Sequence, residues 1–472
     1  MTLAQTIVAD IALVVAVIVI FAGFLQNLIQ LIQLGLAWTT LLRRAPAEYL
    51  GALWYKYADV MPPIALLVPA YNEEKTIVET VHSLLSLRYP SIEVIVANDG
   101  SLDNTLAVLT EAFSLQPAVR TFERRVPHKP VRGVLVAARD PRLIVIDKVN
   151  GGKADALNAA VNFARAPIIC QMDADTLLDE DALLRAVRPF VDHPERTVAV
   201  GATVRVANGC RVHKGRVVEV GLPKSLLALF QTVEYLRAFL MARLAWSEMN
   251  MLLIVSGAFG LFRRQIVVEV GGFSTDTVGE DFELVMKIHR HMLDRRRDYR
   301  IVFLPEPVCW TEAPEDLRTL GQQRSRWQRG ALETFAKYWD MMLNPRYGRV
   351  GAVGVTNLLI VDVIGPFAEV ASYILLPLLW LLDLLAIEFF LALTAVIFAF
   401  GVAISVGSLV LEELELRRFP RVRDLFVLTL AAILENFGYR QLNSFWRIRG
   451  YWQYFTGQSS WGQMTRKGFK KA

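Results

Sequence analysis

Long apolar runs towards both ends of the chain constrain its fold most. Residues 8–42 contain no Lys or Arg, and Arg43 is the first basic residue after them. This run exceeds the roughly 20 residues that one membrane crossing needs. It lacks the basic start and the small-residue cleavage site of a secretory signal peptide. We therefore expect it to remain attached as an N-terminal transmembrane anchor.

The composition turns apolar again from Gly351, in runs at 353–382, 388–411 and 425–438. The first two runs predict a transmembrane hairpin. The third is short for a full crossing, so either a short spanning helix or an interfacial helix fits it. We expect transmembrane or interfacial helices over 351–440 and a basic tail over 441–472. Polar residues beside the third run either line a path for a growing chain or reach towards the membrane surface: Glu435, Asn436, Arg440 and Gln441.

The net charge is +5, and the basic residues cluster beside the apolar runs. Lys and Arg mark the cytoplasmic side of a membrane protein, so we predict an external N-terminus, with residues 43–345 and 412–424 inside. This topology implies a multi-pass protein of the inner or plasma membrane, in contact with membrane lipids. No nucleic-acid-binding motif accompanies the charge, so we expect no nucleic-acid partner. The three cysteines show no CxxC pattern, which argues against a disulfide framework or a zinc site.

Between these ends, residues 62–310 alternate short β-branched runs with helical patterns. This alternation predicts βαβ units, and so an α/β domain with a mostly parallel sheet. Ligands bind at the carboxyl ends of the strands in such sheets. The predicted strands are 64–71, 92–99, 142–147, 168–173, 197–206, 252–262 and 299–305.

Aromatic and acidic residues follow the first two predicted strands. Tyr71 offers a stacking face for a base, while Glu73 and Asp99 offer acceptors for ring or ribose protons. Helix-dipole complementation explains Glu73 equally well. These residues therefore predict either a nucleoside site or ordinary helix starts.

Two carboxylates one residue apart, Asp173 and Asp175, follow the apolar strand that ends near Met172. A hard divalent cation such as Mg²⁺ or Mn²⁺ prefers such oxygen ligands and can complete its coordination with diphosphate and water. The acidic residues at 179–181 are instead typical of a helix start. Upstream, Lys153 begins a helix after two glycines, which suits either a phosphate site or a glycine-rich turn with a solvated lysine.

Two later motifs are ambiguous by themselves. Glu280 and Asp281 begin a helix, where carboxylates also complement the helix dipole. Gln323, Arg326 and Trp327 share one helix face through their i, i+3, i+4 spacing. This face could bind a sugar and a diphosphate, or the tryptophan could pack the helix against its domain.

In their order along the chain, these motifs resemble those of family-2 glycosyltransferases that polymerise sugars at a membrane, such as cellulose, chitin, hyaluronan and poly-N-acetylglucosamine synthases. The resemblance covers about 60–345 and rests on Asn98-Asp99-Gly100, Asp173-Ala174-Asp175, Gly279-Glu280-Asp281 and the QxxRW pattern of Gln323 to Trp327. It implies a cytosolic GT-A-like domain that binds a nucleotide sugar. Gly279 departs from the Thr of the family pattern, and the stretches 115–142 and 207–220 are additional, the second as an inserted hairpin.

The resemblance also implies roles for individual residues. Tyr71, Glu73, Asp99, Lys153 and Asp173 would bind a UDP-sugar, with Lys153 at the diphosphate. Asp173 and Asp175 would hold Mg²⁺ or Mn²⁺. Asp281 would be the general base, with Glu280 beside it. Five further motif residues would bind the acceptor or the diphosphate: Ser256, Gly257, Gln323, Arg326 and Trp327.

The implied activity is inverting transfer from UDP-glucose or UDP-N-acetylglucosamine to a growing β-linked polysaccharide, with an accessory export subunit as a possible partner. The alternative is a glycolipid synthase that adds one or two sugars to a lipid acceptor. A membrane scaffold with an inactive transferase fold fits less well, because all the expected carboxylates are present. The sequence leaves the sugar and the linkage open.

Overall fold

The computed structural model describes residues 3–43, 54, 58–213, 215–381, 385–416 and 421–457. Thr2, Arg44, residues 417–420 and the end of the expected basic tail lie outside the described residues. The chain divides into two compact units, which we describe separately. The α/β unit comprises the described residues within Arg43–Ala228 and Trp246–Ala313, and the helical unit those within Met1–Leu42, Leu229–Ala245 and Pro314–Met464.

The regular elements are numbered in chain order. The strands are β1 Ile64–Ala70, β2 Ile92–Asn98, β3 Leu115–Pro117, β4 Val131–Ala137, β5 Leu143–Lys148, β6 Ile168–Gln171, β7 Leu177–Leu178, β8 Thr197–Val206, β9 Arg211–His213, β10 Arg216–Glu219, β11 Gly260–Arg263 and β12 Arg300–Thr311. The α-helices are α1 Leu3–Arg43, α2 Ile77–Leu85, α3 Thr105–Phe113, α4 Lys153–Phe163, α5 Ala182–Asp192, α6 Leu226–Tyr235, α7 Leu244–Glu248, α8 Arg264–Glu269, α9 Glu280–Asp294, α10 Leu317–Tyr338, α11 Gly365–Leu381, α12 Ile387–Leu416, α13 Val422–Leu434 and α14 Tyr439–Phe455. Three π-helical segments are Leu236–Arg243, Val350–Val355 and Leu358–Ile364.

A 10-stranded sheet in the order β3-β4-β5-β2-β1-β6-β11-β8-β12-β7 forms the core of the α/β unit. Its centre, β5-β2-β1-β6, is parallel, while β4, β11 and β7 run against their neighbours. The mostly parallel sheet is therefore confirmed. Strand β8 is buried along its whole length, as expected for a strand covered on both faces. The carboxyl ends of β1, β2 and β6 consequently lie along one edge.

The structure confirms six of the seven predicted strands. Five differ from the prediction by at most two residues at either end, whereas β12 continues to Thr311, six residues beyond the predicted end at 305. The exception is 252–262, of which only Gly260–Arg263 is a strand, whereas Leu252 and Val255 are buried in an irregular segment. The expected hairpin within 207–220 is formed by β9 and β10. The additional stretch 115–142 contains β3 and β4, which extend the sheet beyond β5 in antiparallel fashion.

Within the described ranges, three helical segments are long and apolar enough to cross a membrane: Ile20–Arg43, Val350–Leu381 and Ile387–Glu413. They agree with the anchor and the two long apolar runs. The third apolar run forms the 13-residue helix α13.

The first part of the expected basic tail is helical, because residues 439–455 form helix α14. This helix packs tightly on α10. A Cβ on Gly450 would lie 2.6 Å from the carbonyl oxygen of Ser325, and one on Gly321 would lie 2.6 Å from Nε1 of Trp446. The glycines let the two helices approach, and the Ser325 hydroxyl donates to the Trp446 carbonyl at 2.9 Å. Residues 229–245 and 314–345, which we expected in the glycosyltransferase domain, group with the helical unit.

Candidate active site

The turns that follow β1 and β2 are bonded to each other. The Asn72 N–H donates to Oγ of Ser101 at 3.1 Å, and the Glu73 N–H donates to Oγ1 of Thr105 at 2.8 Å. Asn72 has a φ of 58°, which asparagine tolerates better than most residues. Tyr71, at the start of this turn, is 47% exposed. The two turns thus hold an open aromatic face and the half-buried Glu73 at one strand-end edge.

Asp99 is nearly fully buried and bonds to its own chain. Its Oδ1 accepts from Nζ of Lys148 at 2.5 Å and from the Gly151 N–H at 2.9 Å, while its Oδ2 accepts from the Gly152 N–H at 2.7 Å. Burial raises the pKa of the carboxyl, and this effect outweighs the lowering by Lys148 and the two backbone donors. Asp99 therefore fixes the glycine turn that precedes Lys153. The sequence did not point to Lys148, whose side chain is fully buried.

Lys153 is the first residue of α4 and lies among carboxylates. Its Nζ is 2.7 Å from Oδ1 of Asp173 and 2.9 Å from Oε1 of Glu280. Burial lowers the pKa of this ammonium, but the negative charges of Asp173, Glu280 and Asp281 together raise the pKa above its ordinary value. Burial, together with the charge of Asp281, raises the pKa of Glu280, against the opposing effect of Lys153. The site therefore contains a charged lysine held between two chain segments.

Asp281 lies on the other side of the same small space. Its Oδ2 accepts from the Gly257 N–H at 2.8 Å, and its Oδ1 accepts from the Phe282 N–H at 2.8 Å. A Cβ on Gly257 would lie 2.8 Å from Nζ of Lys153 and 3.2 Å from Oδ2 of Asp281. Glycine at this position thus lets the base candidate and the lysine approach each other. Ser256, which precedes Gly257, is half-buried.

Gln171 is a site residue that the sequence analysis missed. It is fully buried at the end of β6, and its Nε2 is 3.4 Å from the Cβ position on Gly257. Within the described part of the chain, neither polar atom of its amide has a hydrogen-bond partner. Buried polar atoms are rarely left in that state, and those that are tend to mark functional sites. The sequence feature that could have indicated Gln171 is its polarity within the otherwise apolar stretch IICQM.

Asp173 and Asp175 lie in the turn that follows β6, and both are half-buried. The turn is closed by the Thr176 N–H, which donates to the Asp173 carbonyl at 3.2 Å. Thr80 holds it from α2, because its hydroxyl donates to the Ala174 carbonyl at 2.7 Å. In the described ranges, no group of three or more His, Cys, Asp and Glu side chains is placed to hold a metal ion.

The remaining predicted residues lie in the helical unit, on α10. This helix begins at Leu317, with Asp316 as its cap accepting from the Thr319 N–H at 2.8 Å. Trp327 is 45% exposed and Arg326 is half-buried. Oε1 of Gln323 is buried and has no partner among the described residues.

Polar residues around the end of α13 form a buried network within the helical unit. Glu435 is 1% exposed, pairs with Arg237 and accepts from the Ser405 hydroxyl at 2.6 Å. Arg440 donates to Oδ1 of Asn436 at 3.3 Å. Glu435 is therefore paired within the protein rather than exposed.

Residues 65–271 match the model of glycosyl transferase family 2. The chain contains a family 2 glycosyltransferase domain. The matched range 65–271 includes every residue predicted to bind the donor or the metal. Glu280, Asp281 and the QxxRW residues lie after this range.

The chain also resembles curated proteins over part of its length. It is 30% identical over 278 residues to a poly-β-1,6-N-acetyl-D-glucosamine synthase of Staphylococcus epidermidis, covering 59% of this chain and 57% of that protein. It is 29% identical over 290 residues to the synthase of the same name from Staphylococcus aureus strain COL, covering 61% and 60%. The chain thus spans less than two thirds of the length of these relatives. The expected resemblance to processive polysaccharide synthases is confirmed.

Among solved structures, a mannosyltransferase from Pyrobaculum calidifontis in complex with GDP-mannose and Mn²⁺ superposes with a TM-score of 0.56. The identity is 18%, and the match covers 96% of this chain and 99% of that one. At this identity the similarity concerns the fold alone. With the family match, it confirms the predicted GT-A-like fold.

Proposed function

We propose that this protein is a metal-dependent, inverting glycosyltransferase that transfers N-acetylglucosamine from UDP-N-acetylglucosamine to a growing β-linked polysaccharide at a membrane. The names of the relatives support the sugar and the polymer. The observation that carries the proposal is the grouping of Lys153, Asp173, Glu280 and Asp281 around Gly257. This grouping unites the diphosphate, metal and base candidates, which the sequence keeps far apart.

In this proposal Asp281 takes the proton from the acceptor hydroxyl. Hydrogen bonds from the backbone N–H groups of Gly257 and Phe282 hold the carboxylate in place. The activated oxygen attacks the anomeric carbon in line with the departing UDP, so an α-linked donor gives a β-linked product. General-base catalysis of this kind typically contributes roughly 100-fold to 10,000-fold in rate.

Lys153 faces the leaving group. Before the donor binds, its ammonium is neutralised by Asp173 and Glu280. Its position at the start of α4 adds helix N–H groups and the helix dipole, a combination that suits a phosphate. Asp99 contributes indirectly by fixing the glycine turn before the lysine. Tyr71 and Glu73 bind the nucleoside part of the donor, at the edge where β1 ends.

A divalent cation fits the turn after β6, because Asp173 and Asp175 are half-buried carboxylates with the hard oxygen donors that Mg²⁺ and Mn²⁺ prefer. These two residues would hold the ion, and diphosphate oxygens and water would supply its other ligands. A bound cation would neutralise charge that develops on the departing UDP.

A donor screen tests the proposed function. Purified full-length protein receives each nucleotide sugar in turn, and UDP release and product mass are measured. We expect release from UDP-N-acetylglucosamine together with a ladder of products extending to long chains. Products of one or two sugars on extracted lipid would favour the glycolipid synthase, which the named relatives do not favour. The absence of release from every donor would support the inactive scaffold.

We further propose that the α/β unit is cytosolic. Val119 is fully exposed in the α/β unit, and Val422 is exposed at the start of α13. In a cysteine-free background, an impermeant maleimide should leave Val119→Cys and Val422→Cys unlabelled in intact cells and should label both after permeabilisation. Thr2→Cys should be labelled in intact cells, which controls for access. Labelling of Val119→Cys in intact cells would contradict this topology.

A further inference from the structure

A buried arginine packs against the aromatic residue of the QxxRW motif. Cζ of Arg324 lies 4.4 Å from the centroid of the Trp327 ring. Arg324 is 4% exposed, whereas Trp327 is 45% exposed. A guanidinium at this distance is attracted to the negative face of the indole. The arginine therefore packs against the ring from the buried side, while much of the ring remains open.

Two further side chains fix the arginine. Nη2 of Arg324 is 2.8 Å from Oε2 of Glu234, and the Tyr439 hydroxyl donates to the same oxygen at 2.7 Å. Tyr439 is buried, and the Glu234 side chain is largely shielded. The three residues come from α6, α10 and α14, so the position of the guanidinium depends on three helices. We refer to Glu234, Arg324 and Tyr439 as the clamp.

Stability alone is a weak explanation for the clamp. A buried ion pair loses much of its attraction to the cost of desolvation, and a well-packed apolar replacement is often as stable. The clamp does something that an apolar contact would not, because a fixed planar cation attracts the indole face and restricts the ring plane. A sugar that stacks on an aromatic ring requires that plane to be defined, since its C–H groups must meet the ring face.

We propose that the clamp positions Trp327 so that the open face of its ring forms the platform for the acceptor sugar. The three clamp residues are positioning residues that act through the ring. This inference rests on the proposed function and on the acceptor role that the family resemblance implies for Trp327.

The test compares clamp variants with control variants of a second buried pair. Arg329 and Glu333 form a second arginine–glutamate pair on α10, at 2.7 Å and with largely shielded side chains. Glu234→Gln is therefore compared with Glu333→Gln, and Arg324→Lys with Arg329→Lys. Tyr439→Phe removes a single hydroxyl. Each full-length variant is assayed in detergent for thermal unfolding, kcat, product length, and KM for the donor and for a β-linked N-acetylglucosamine oligosaccharide.

We expect the clamp variants to raise the acceptor KM roughly tenfold, the scale of one partly desolvated cation–π contact. Products should be shorter, while the donor KM stays near that of the wild type. Trp327→Ala should act in the same direction. Adding Glu234→Gln to Trp327→Ala should cause little further loss, because both changes remove the same platform.

Several results would overturn the proposal. Equal changes in acceptor KM for Glu234→Gln and Glu333→Gln would show a merely structural pair, as would fully additive losses with Trp327→Ala. If Glu234→Gln does not fold, an unchanged acceptor KM in Tyr439→Phe would still reject the clamp. Failure of the proposed function would give a different result from failure of the clamp proposal, because the wild-type protein itself would then elongate no acceptor.

Discussion

The substitution Asp281→Asn should lower sugar transfer by roughly 100-fold or more while leaving donor binding nearly intact. Asparagine keeps the shape of the side chain, and its amide oxygen can still accept from the Gly257 N–H, which lies 2.8 Å from Oδ2 of the aspartate. It cannot accept a proton from the acceptor hydroxyl. The measurements are the initial rate of UDP release with acceptor present, and donor affinity by calorimetry.

Asp294→Asn provides the matched control. Asp294 ends the same helix, α9, and its carboxylate lies 3.9 Å from Nε of Arg290, so its removal changes the helix charge equally. Transfer in this variant should stay close to that of the wild type. Near-normal turnover in Asp281→Asn would rule out Asp281 as the base. A loss of donor affinity in that variant would instead indicate that the charge of Asp281, beside Lys153, contributes to donor binding.

The sequence predicted which strand-end residues would lie close together, because a simple rule of sheet geometry applied. Parallel strands present their carboxyl ends along one edge, so residues after β1, β2 and β6 could be grouped before any coordinates were known. The helix starts at Lys153 and Glu280 were also predicted at the residues where they occur. Contacts between these segments were not predictable, because each depends on a side chain that is distant in sequence.

The irregular segment before β11 shows where the hydrophobic pattern fails. Its apolar residues predicted a strand from 252, and Leu252 is indeed buried. However, its carbonyl lies 2.9 Å from Nε2 of His289, a side chain of α9, instead of pairing with a neighbouring strand. Burial lowers the pKa of this histidine to about 4, so the ring is neutral near pH 7. An apolar pattern indicates burial, but it does not identify the hydrogen-bond partner of the backbone.

The partners of charged residues were not predictable either. Within the segment expected as a basic tail, Arg447 of α14 donates to Oε1 of Gln328 at 2.6 Å and lies 3.1 Å from Oδ1 of Asp362. Asp99 follows β2 as predicted, yet its carboxylate accepts from the backbone N–H groups of Gly151 and Gly152. A charged residue in a sequence does not reveal whether its partner is solvent, ligand or protein.

Removal of divalent cations should abolish transfer by the wild-type enzyme, and Mg²⁺ or Mn²⁺ should restore it. The expected loss is roughly 100-fold or more, because a cation at a departing diphosphate is worth several kcal/mol of charge stabilisation. Asp175→Ala should show the same loss without rescue by added metal, since it removes one of the two carboxylates in the turn after β6. Mn²⁺ binding in the presence of UDP, followed by electron paramagnetic resonance, should weaken in parallel.

Asp181→Ala is the matched control for Asp175→Ala. Asp181 precedes α5 and makes no capping hydrogen bond through its side chain, so its removal should leave both metal response and activity near wild type. Asp179 serves less well, because its Oδ1 accepts from Nε1 of Trp310 at 3.0 Å and its loss would disturb packing. Full activity in excess chelator would exclude a required metal. Rescue of Asp175→Ala by Mn²⁺ would show instead that Asp173, diphosphate and water suffice to hold the ion.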